Sequence, residues 1–267
     1  MTDDQQTRWL RLILFMIAIF LIVLMAPVAY MLFTGDLLAI VATLVFFGTF
    51  IFMYAVTWTF VRWEGGGSIE ELGVTVDKRF GPHISIGAIA GALGATLVVV
   101  VAFFFGGQLR PFDQITVDLI INEIIITAPT AFFEELTHRG YILTRMEDLT
   151  GRRAAIFLSS IFFSLLHFSW WVTPGFPVHL AILFTFNMFL GGVVLSFSYY
   201  WSGRRLWVPI AFHFMWNMVA YLLFPTDPLT VTQPEIFQIE WGIVSIVGFL
   251  FGLSLLWSFL AADKNKE

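Results

Sequence analysis

Long apolar runs constrain the fold of this chain more than any other feature of its sequence. A helix needs roughly 20 apolar residues to cross a bilayer. Only 12% of the 267 residues are charged, against about 25% in soluble domains. The sequence therefore predicts an all-α polytopic membrane protein with about eight transmembrane helices. The runs lie at about Leu10–Phe33, Leu37–Val61, Ile84–Gly106, Leu119–Leu143, Ala154–Val172, Val178–Trp201, Leu206–Phe224 and Ile239–Ala262.

The composition also excludes several classes of protein. The chain contains no Cys, so disulfides, zinc–thiolate sites and a Cys nucleophile are excluded. It has no basic patch with interleaved aromatic residues, and we therefore expect no nucleic-acid partner. The first apolar run is too long for the apolar core of a cleavable signal peptide, so we interpret it as the first span. No internal repeat is visible, and residues 1–267 are predicted to form one membrane-embedded domain.

The distribution of Lys and Arg predicts the topology. In short loops these residues accumulate on the cytoplasmic side of a membrane protein. With the amino terminus in the cytoplasm, the cytoplasmic segments carry twelve Lys and Arg residues and the outer segments carry only Arg110. Arg139 is set aside in this count because it lies within a span. We therefore predict eight spans with both termini cytoplasmic, in a multi-pass protein of the plasma membrane.

The fourth apolar run contains a cluster of ionisable residues. Glu134 and Glu135 are adjacent, and Arg139 follows Glu135 by four residues, the spacing that places two side chains on one helix face. Because an ionisable residue within a span is costly, it marks a functional site or a buried pair. We interpret Glu135 and Arg139 as a structural ion pair. Glu134 has no cationic partner at helical spacing and is therefore the better candidate for a reactive group.

Polar residues of two other runs fall at depths compatible with Glu134. At a rise of 1.5 Å per residue, Glu134 lies about 14 Å above the cytoplasmic end of its span, and His167, His213 and Asn217 lie at about 20, 10 and 16 Å. His213 and Asn217 are four residues apart and share a helix face. Either His alone is explained as well by a hydrogen-bonded strut between helices. Glu240, at the end of a span, is interpreted as an interfacial residue.

Three motifs of the sequence resemble those of a known family. They occur in the family's order, on separate apolar runs, within residues 122–217. They are similar to the motifs of the CAAX-protease and bacteriocin-processing (CPBP, or Abi) family of intramembrane endopeptidases, which includes the Rce-type prenyl-protein proteases. His138 departs from the pattern, since the family commonly has an aromatic or aliphatic residue there. The motifs are Glu134-Glu135-x-x-x-Arg139, Phe163-x-x-x-His167 and His213-x-x-x-Asn217.

The resemblance implies hydrolysis of a peptide bond near the cytoplasmic side of the membrane. Glu134 would act as the general base, and His167 would help to hold and polarise the attacking water. His213 and Asn217 would donate hydrogen bonds to the developing oxyanion. The implied partners are the lipid bilayer and a peptide or protein substrate, with lipidated, CAAX-type prenylated substrates among the candidates.

A metal-dependent version of this chemistry remains open at this point. Glu134, His167 and His213 could ligate zinc, since two His and one carboxylate are a common catalytic set. The HExxH helix of familiar zinc proteases is absent, and the interpretation favours no cofactor, with zinc as the alternative. In either version, Glu135 and Arg139 would fix the helix and tune the charge at Glu134.

Two other functions compete with proteolysis. One is a non-catalytic membrane protein, such as a bacteriocin-immunity factor. The other is a transporter that uses the buried polar cluster for a proton or an ion. The complete catalytic set argues against the first, and the lack of an inverted repeat or of paired broken helices argues against the second. The sequence does not identify the substrate.

Overall fold

The structure is a computed structural model that describes residues 3–264, and these residues form helices and connecting turns without any β-strand. The predicted all-α class is confirmed. Short 3₁₀ turns at Ile69–Leu72, Phe112–Gln114 and Pro228–Thr230 lie in the connections. The helices are α1 (Asp3–Leu32), α2 (Gly35–Trp63), α3 (Phe80–Phe105), α4 (Val117–Glu135), α5 (Leu143–Thr150), α6 (Arg152–Leu165), α7 (Ser169–Val172), α8 (Val178–Trp201), α9 (Trp207–Leu223), α10 (Pro234–Phe237) and α11 (Val244–Lys264).

Within residues 3–264, six helices are long and apolar enough to cross a membrane, namely α1, α2, α3, α8, α9 and α11. Large apolar side chains project outward along them, with Met31 84% exposed and Phe104 73% exposed. Such surface is stable next to lipid, and a helix satisfies its own backbone hydrogen bonds there. The chain is therefore a multi-pass integral membrane protein. Its location in the plasma membrane stays a prediction.

The fourth and fifth predicted spans take a different form from the other six. The fourth lies in a continuous helical segment, residues 117–150, in which Leu136–Ile142 is a π-helix between α4 and α5. The fifth is interrupted, because α6 ends at Leu165 and a turn separates it from the four-residue α7. At 1.5 Å per residue, α6 is about 21 Å long, which is short of the roughly 30 Å hydrocarbon core. The count of eight spans stays a prediction.

Small residues determine how closely α9 approaches its neighbours. Gly87 and Gly91 lie one turn apart on α3, and a Cβ atom at either position would collide with the backbone of α9 at Val208 or Phe212. Small residues at a helix interface allow this close approach inside a membrane. Because α9 also packs against α4, this contact holds the polar face of α9 against the ionisable cluster of α4.

Ion pairs connect several loops at one end of the bundle. Arg145 pairs with Glu64 at 2.8 Å, and Arg205 pairs with Asp77 at 2.6 Å. Exposed and half-exposed pairs of this kind add little to stability, but they show which loops lie together. All four residues belong to segments that the charge asymmetry assigns to the cytoplasm. The orientation of the termini stays a prediction. Lys266, one of the twelve Lys and Arg residues counted on the cytoplasmic side, lies outside the described residues.

Candidate active site

The π-helix carries Arg139 and begins directly after Glu134 and Glu135. All seven residues of Leu136–Ile142 are buried. π-helices are rare and occur frequently at functional sites, because the wider turn re-aims the side chains around it. The first motif therefore lies where the α4 segment departs from regular α-helical geometry.

The expected ion pair is present and fully buried. Arg139 Nη1 donates to Glu135 Oε1 at 2.8 Å, and the two side chains are 2% and 0% exposed. Arg139 Nη2 donates to the backbone oxygen of Gly192 on α8 at 3.2 Å. The guanidinium also lies over the ring of Phe163 on α6, 4.4 Å from its centroid. One Arg side chain thus connects the π-helix to α6 and α8.

Glu135 also holds the first His of α9. His213 Nδ1 donates to Glu135 Oε1 at 2.9 Å, so this nitrogen carries the proton. The other ring nitrogen, Nε2, lies 4.0 Å from Glu134 Oε2. In the neutral ring Nε2 is an acceptor, and it donates a hydrogen bond only when the ring carries a second proton. The hydrogen bond to Glu135 therefore fixes Nε2 as the nitrogen of His213 that faces Glu134.

His167 lies beyond the end of α6 and not within a spanning helix as the sequence suggested. Its Nδ1 donates to the backbone oxygen of Phe163 at 2.8 Å. This bond leaves Nε2 as the acceptor of the ring. The side chain is half-buried, and Nε2 is the nitrogen available to a ligand.

The structure brings the four expected residues to one cavity. Glu134, His167, His213 and Asn217 all line a space of about 250 Å³, here called the central cavity. Most of its remaining wall is apolar. Glu134 Oε2 is buried without a hydrogen-bond donor in the described part of the chain. The Glu134 side chain as a whole is 20% exposed, so its carboxylate keeps contact with the central cavity. The apolar and aromatic wall residues include Phe163, Phe184, Met188, Leu195, Phe212, Trp216 and Phe249.

His138, the departure from the family pattern, lies outside the lining of the central cavity. The ring is 3% exposed, and its Nδ1 donates to the backbone oxygen of Glu134 at 2.8 Å. Its edge packs against Phe163, with ring centroids 5.0 Å apart. The residue therefore packs behind Glu134 and does not add a titratable group to the reaction space.

The zinc alternative requires three converging donors. Among residues 3–264, no group of three or more His, Asp or Glu side chains is arranged to hold a metal ion. Nδ1 of His213 donates to Glu135, and Nδ1 of His167 donates to a backbone oxygen, which leaves Nε2 of each ring open. Metal independence stays a prediction, and no step below uses a metal.

Three further polar residues of the central cavity were not assigned to the site from the sequence. Thr130 lies one turn before Glu134 on α4. Tyr221 lies one turn beyond Asn217 on α9, and Glu240 lies in the loop between α10 and α11. The interfacial position of Glu240 stays a prediction, and the structure adds that its side chain lines the central cavity. The eighth predicted span begins at Val244 and not at Ile239, so the preceding residues form a loop that closes over the bundle. The one local indication of a role for Glu240 in the sequence was its position between two apolar residues, Ile239 and Trp241.

Fold and site together define a class: a multi-pass membrane protein whose helical bundle encloses an ionisable, largely apolar cavity. Residues 116–219 match the family model described as type II CAAX prenyl endopeptidase Rce1-like. The matched segment is 104 of the 267 residues and contains all three motifs, so the chain is similar to this family over that segment. No curated protein and no solved structure matches the chain.

Proposed function

We propose that this protein is an intramembrane endopeptidase that cleaves a peptide bond with a water molecule activated by Glu134 and His167. The observation that carries the proposal is the central cavity, in which residues from all three motifs face one space. The Glu134 side chain is 20% exposed and lines this cavity, which supports access of water to its carboxylate. The similarity of residues 116–219 to the CAAX prenyl endopeptidase family model supports the reaction class.

Glu134 and His167 both contribute to the activation of the water molecule. A water molecule in the central cavity between the Glu134 carboxylate and His167 Nε2 donates one hydrogen bond to each, which orients its lone pair toward the substrate carbonyl. Glu134 removes a proton as the oxygen–carbon bond forms. A positioned base of this kind contributes about 10²- to 10⁴-fold to a rate.

The oxyanion is stabilised by α9. Asn217 Nδ2 is a donor in every protonation state, and it lies one helical turn from His213. His213 Nε2 donates when the ring is protonated, with Glu134 as the adjacent counter-charge at 4.0 Å. Donors that are fixed before the reaction stabilise the developing charge at low reorganisation cost.

Glu135 and Arg139 position these groups and do not contact the substrate. Glu135 fixes His213 through Nδ1, and Arg139 neutralises Glu135. The ion pair thereby holds α4, α8 and α9 in register around the reaction space.

Two apolar clefts support a lipidated substrate. One, of about 300 Å³, lies between α1, α2 and α4 and includes Glu134 in its wall. The other, of about 200 Å³, lies between α1 and the end of α6 and includes His167. Both clefts include Val23 and Ala26 of α1. We infer that the lipid chain of a membrane-associated peptide occupies this space, with the scissile bond in the central cavity.

The test is cleavage of a fluorogenic CAAX-type peptide, with and without a prenyl group, by the purified protein in lipid nanodiscs. Glu134→Gln is near-isosteric and should abolish cleavage, because Gln cannot accept the proton. Glu123→Gln is the matched control, since Glu123 is a buried carboxyl of the same helix that does not line the central cavity. Asn217→Ala should retain weak activity, about 10²- to 10³-fold below wild type. Substantial cleavage by Glu134→Gln would indicate that the ionisable cluster around Glu134 has a structural or transport role instead.

A further inference from the structure

The loop before α11 places a third carboxyl in the wall of the central cavity. Glu240 lines this space together with Glu134, His167, His213 and Asn217. It lies outside residues 116–219, the segment that the family model matches. None of the steps described above uses it.

The backbone at Glu240 is strained, and its neighbours hold it in place. Its φ angle is +68°, in the left-handed region that non-glycine residues rarely adopt. Asn187 Nδ2 donates to the Glu240 backbone oxygen at 2.9 Å, and the Glu240 N–H donates to Ser245 Oγ at 2.9 Å. Asn187 and Ser245 are 1% and 0% exposed. Backbone strain of this kind persists where surrounding contacts enforce it, and it clusters at functional sites.

The charge environment of Glu240 differs from that of Glu134. Glu134 lies 4.0 Å from His213 Nε2, whereas no Lys, Arg or His side chain in the described part of the chain forms an ion pair with Glu240. Two carboxyls that face one small apolar-walled space do not ionise together at low cost. Glu240, which has no cationic partner, is therefore the one that keeps a proton.

Glu240 loses its proton near neutral pH. Burial raises the pKa of Glu240 to about 7, while His213 lowers it and Glu134 adds to the rise. The remaining titratable groups in the wall of the central cavity are His167 and Tyr221. A proton donor in this range matches the requirement for acid catalysis near neutral pH.

We propose that Glu240 is a second catalytic carboxyl, the acid that protonates the leaving amine. This inference rests on the proposed peptidase function. Glu134 takes a proton from water as the oxygen–carbon bond forms, and Glu240 gives its proton to the amide nitrogen as the carbon–nitrogen bond breaks. The products are a carboxylic acid and an amine. A proton then passes from Glu134 to Glu240 through water in the central cavity, which restores both residues.

The experiment compares amide and thioester versions of the same peptide. A thiolate leaves without protonation, whereas an amine must be protonated. Glu240→Gln should lower kcat/KM for the amide by about 10²- to 10⁴-fold and leave thioester cleavage within a few-fold of wild type. Glu134→Gln should lower both. Wild-type amide cleavage should fall as pH rises through about 7, because the acid form of Glu240 is lost. Glu240→Gln should lose this part of the pH dependence and keep only the fall that follows deprotonation of His213.

Two controls separate this role from a structural one. Glu235→Gln changes a carboxyl in the same loop region that does not line the central cavity and should leave both rates unchanged. If Glu240→Gln folds poorly, Glu240→Asn removes the acid with a residue that tolerates positive φ.

The outcomes that would overturn the inference are distinct from failure of the proposed function. Equal losses on the amide and the thioester would make Glu240 a structural residue, and wild-type amide cleavage by Glu240→Gln would remove it from the reaction. Wild-type amide cleavage by Glu134→Gln would instead reject the peptidase mechanism as a whole.

Discussion

Replacing Arg139 by Met tests whether the buried ion pair holds the site together. Met fills part of the space but leaves Glu135 charged and 0% exposed, with His213 as its remaining hydrogen-bond partner. Removing one member of a buried pair typically costs about 3–5 kcal/mol, because the other charge stays buried without compensation. The variant also loses the bond to the Gly192 backbone oxygen and the contact with the Phe163 ring.

The expected size of the effect follows from these contacts. For a chain of this size, each kcal/mol shifts Tm by about 2–4 °C, so Arg139→Met should lower Tm by roughly 10 °C. The assay is thermal unfolding in detergent, followed by intrinsic Trp fluorescence. Arg152→Ala removes an ion pair on an exposed side chain, 59% accessible, and should shift Tm by less than about 2 °C.

A double variant distinguishes charge from packing. Arg139→Met combined with Glu135→Gln removes both charges and keeps a side-chain oxygen that can accept from His213. It should melt above the single Arg139→Met variant, because the uncompensated charge is gone. A Tm of Arg139→Met within 1–2 °C of wild type, or a double variant no more stable than the single one, would refute the ion-pair account.

Two further predictions concern topology and cofactor use. Because the chain has no native Cys, Ser68→Cys and Thr230→Cys, both at exposed loop positions, report sidedness directly. An impermeant thiol reagent added outside intact cells should label Thr230→Cys and not Ser68→Cys, and the reverse pattern would invert the proposed orientation. Thorough chelation should leave peptide cleavage unchanged in protein that contains no metal by elemental analysis. Loss of activity that added zinc restores would instead establish a metal mechanism.

The sequence by itself determined the fold class and the identity of most candidate residues. Apolar runs about as long as a bilayer is thick admit few structures other than membrane helices, because an isolated helix satisfies its own backbone. The spacing of four between Glu135 and Arg139 was enough to predict their contact, since helical geometry brings such residues together locally. These inferences depend on neighbours along one helix, which a sequence pattern displays directly.

The tertiary structure decided what lies around those residues. The bond between His213 and Glu135 joins residues 78 positions apart, and no local pattern encodes which helix faces which. The end of α6 before His167 and the π-helix at Arg139 follow no spacing pattern in the sequence, and both segments pack against α8. Glu240 reaches the central cavity because its loop folds back over the bundle with a left-handed backbone held by Asn187 and Ser245. Hydropathy alone placed it at a membrane surface, since hydropathy measures the polarity of a segment and not the path of the chain.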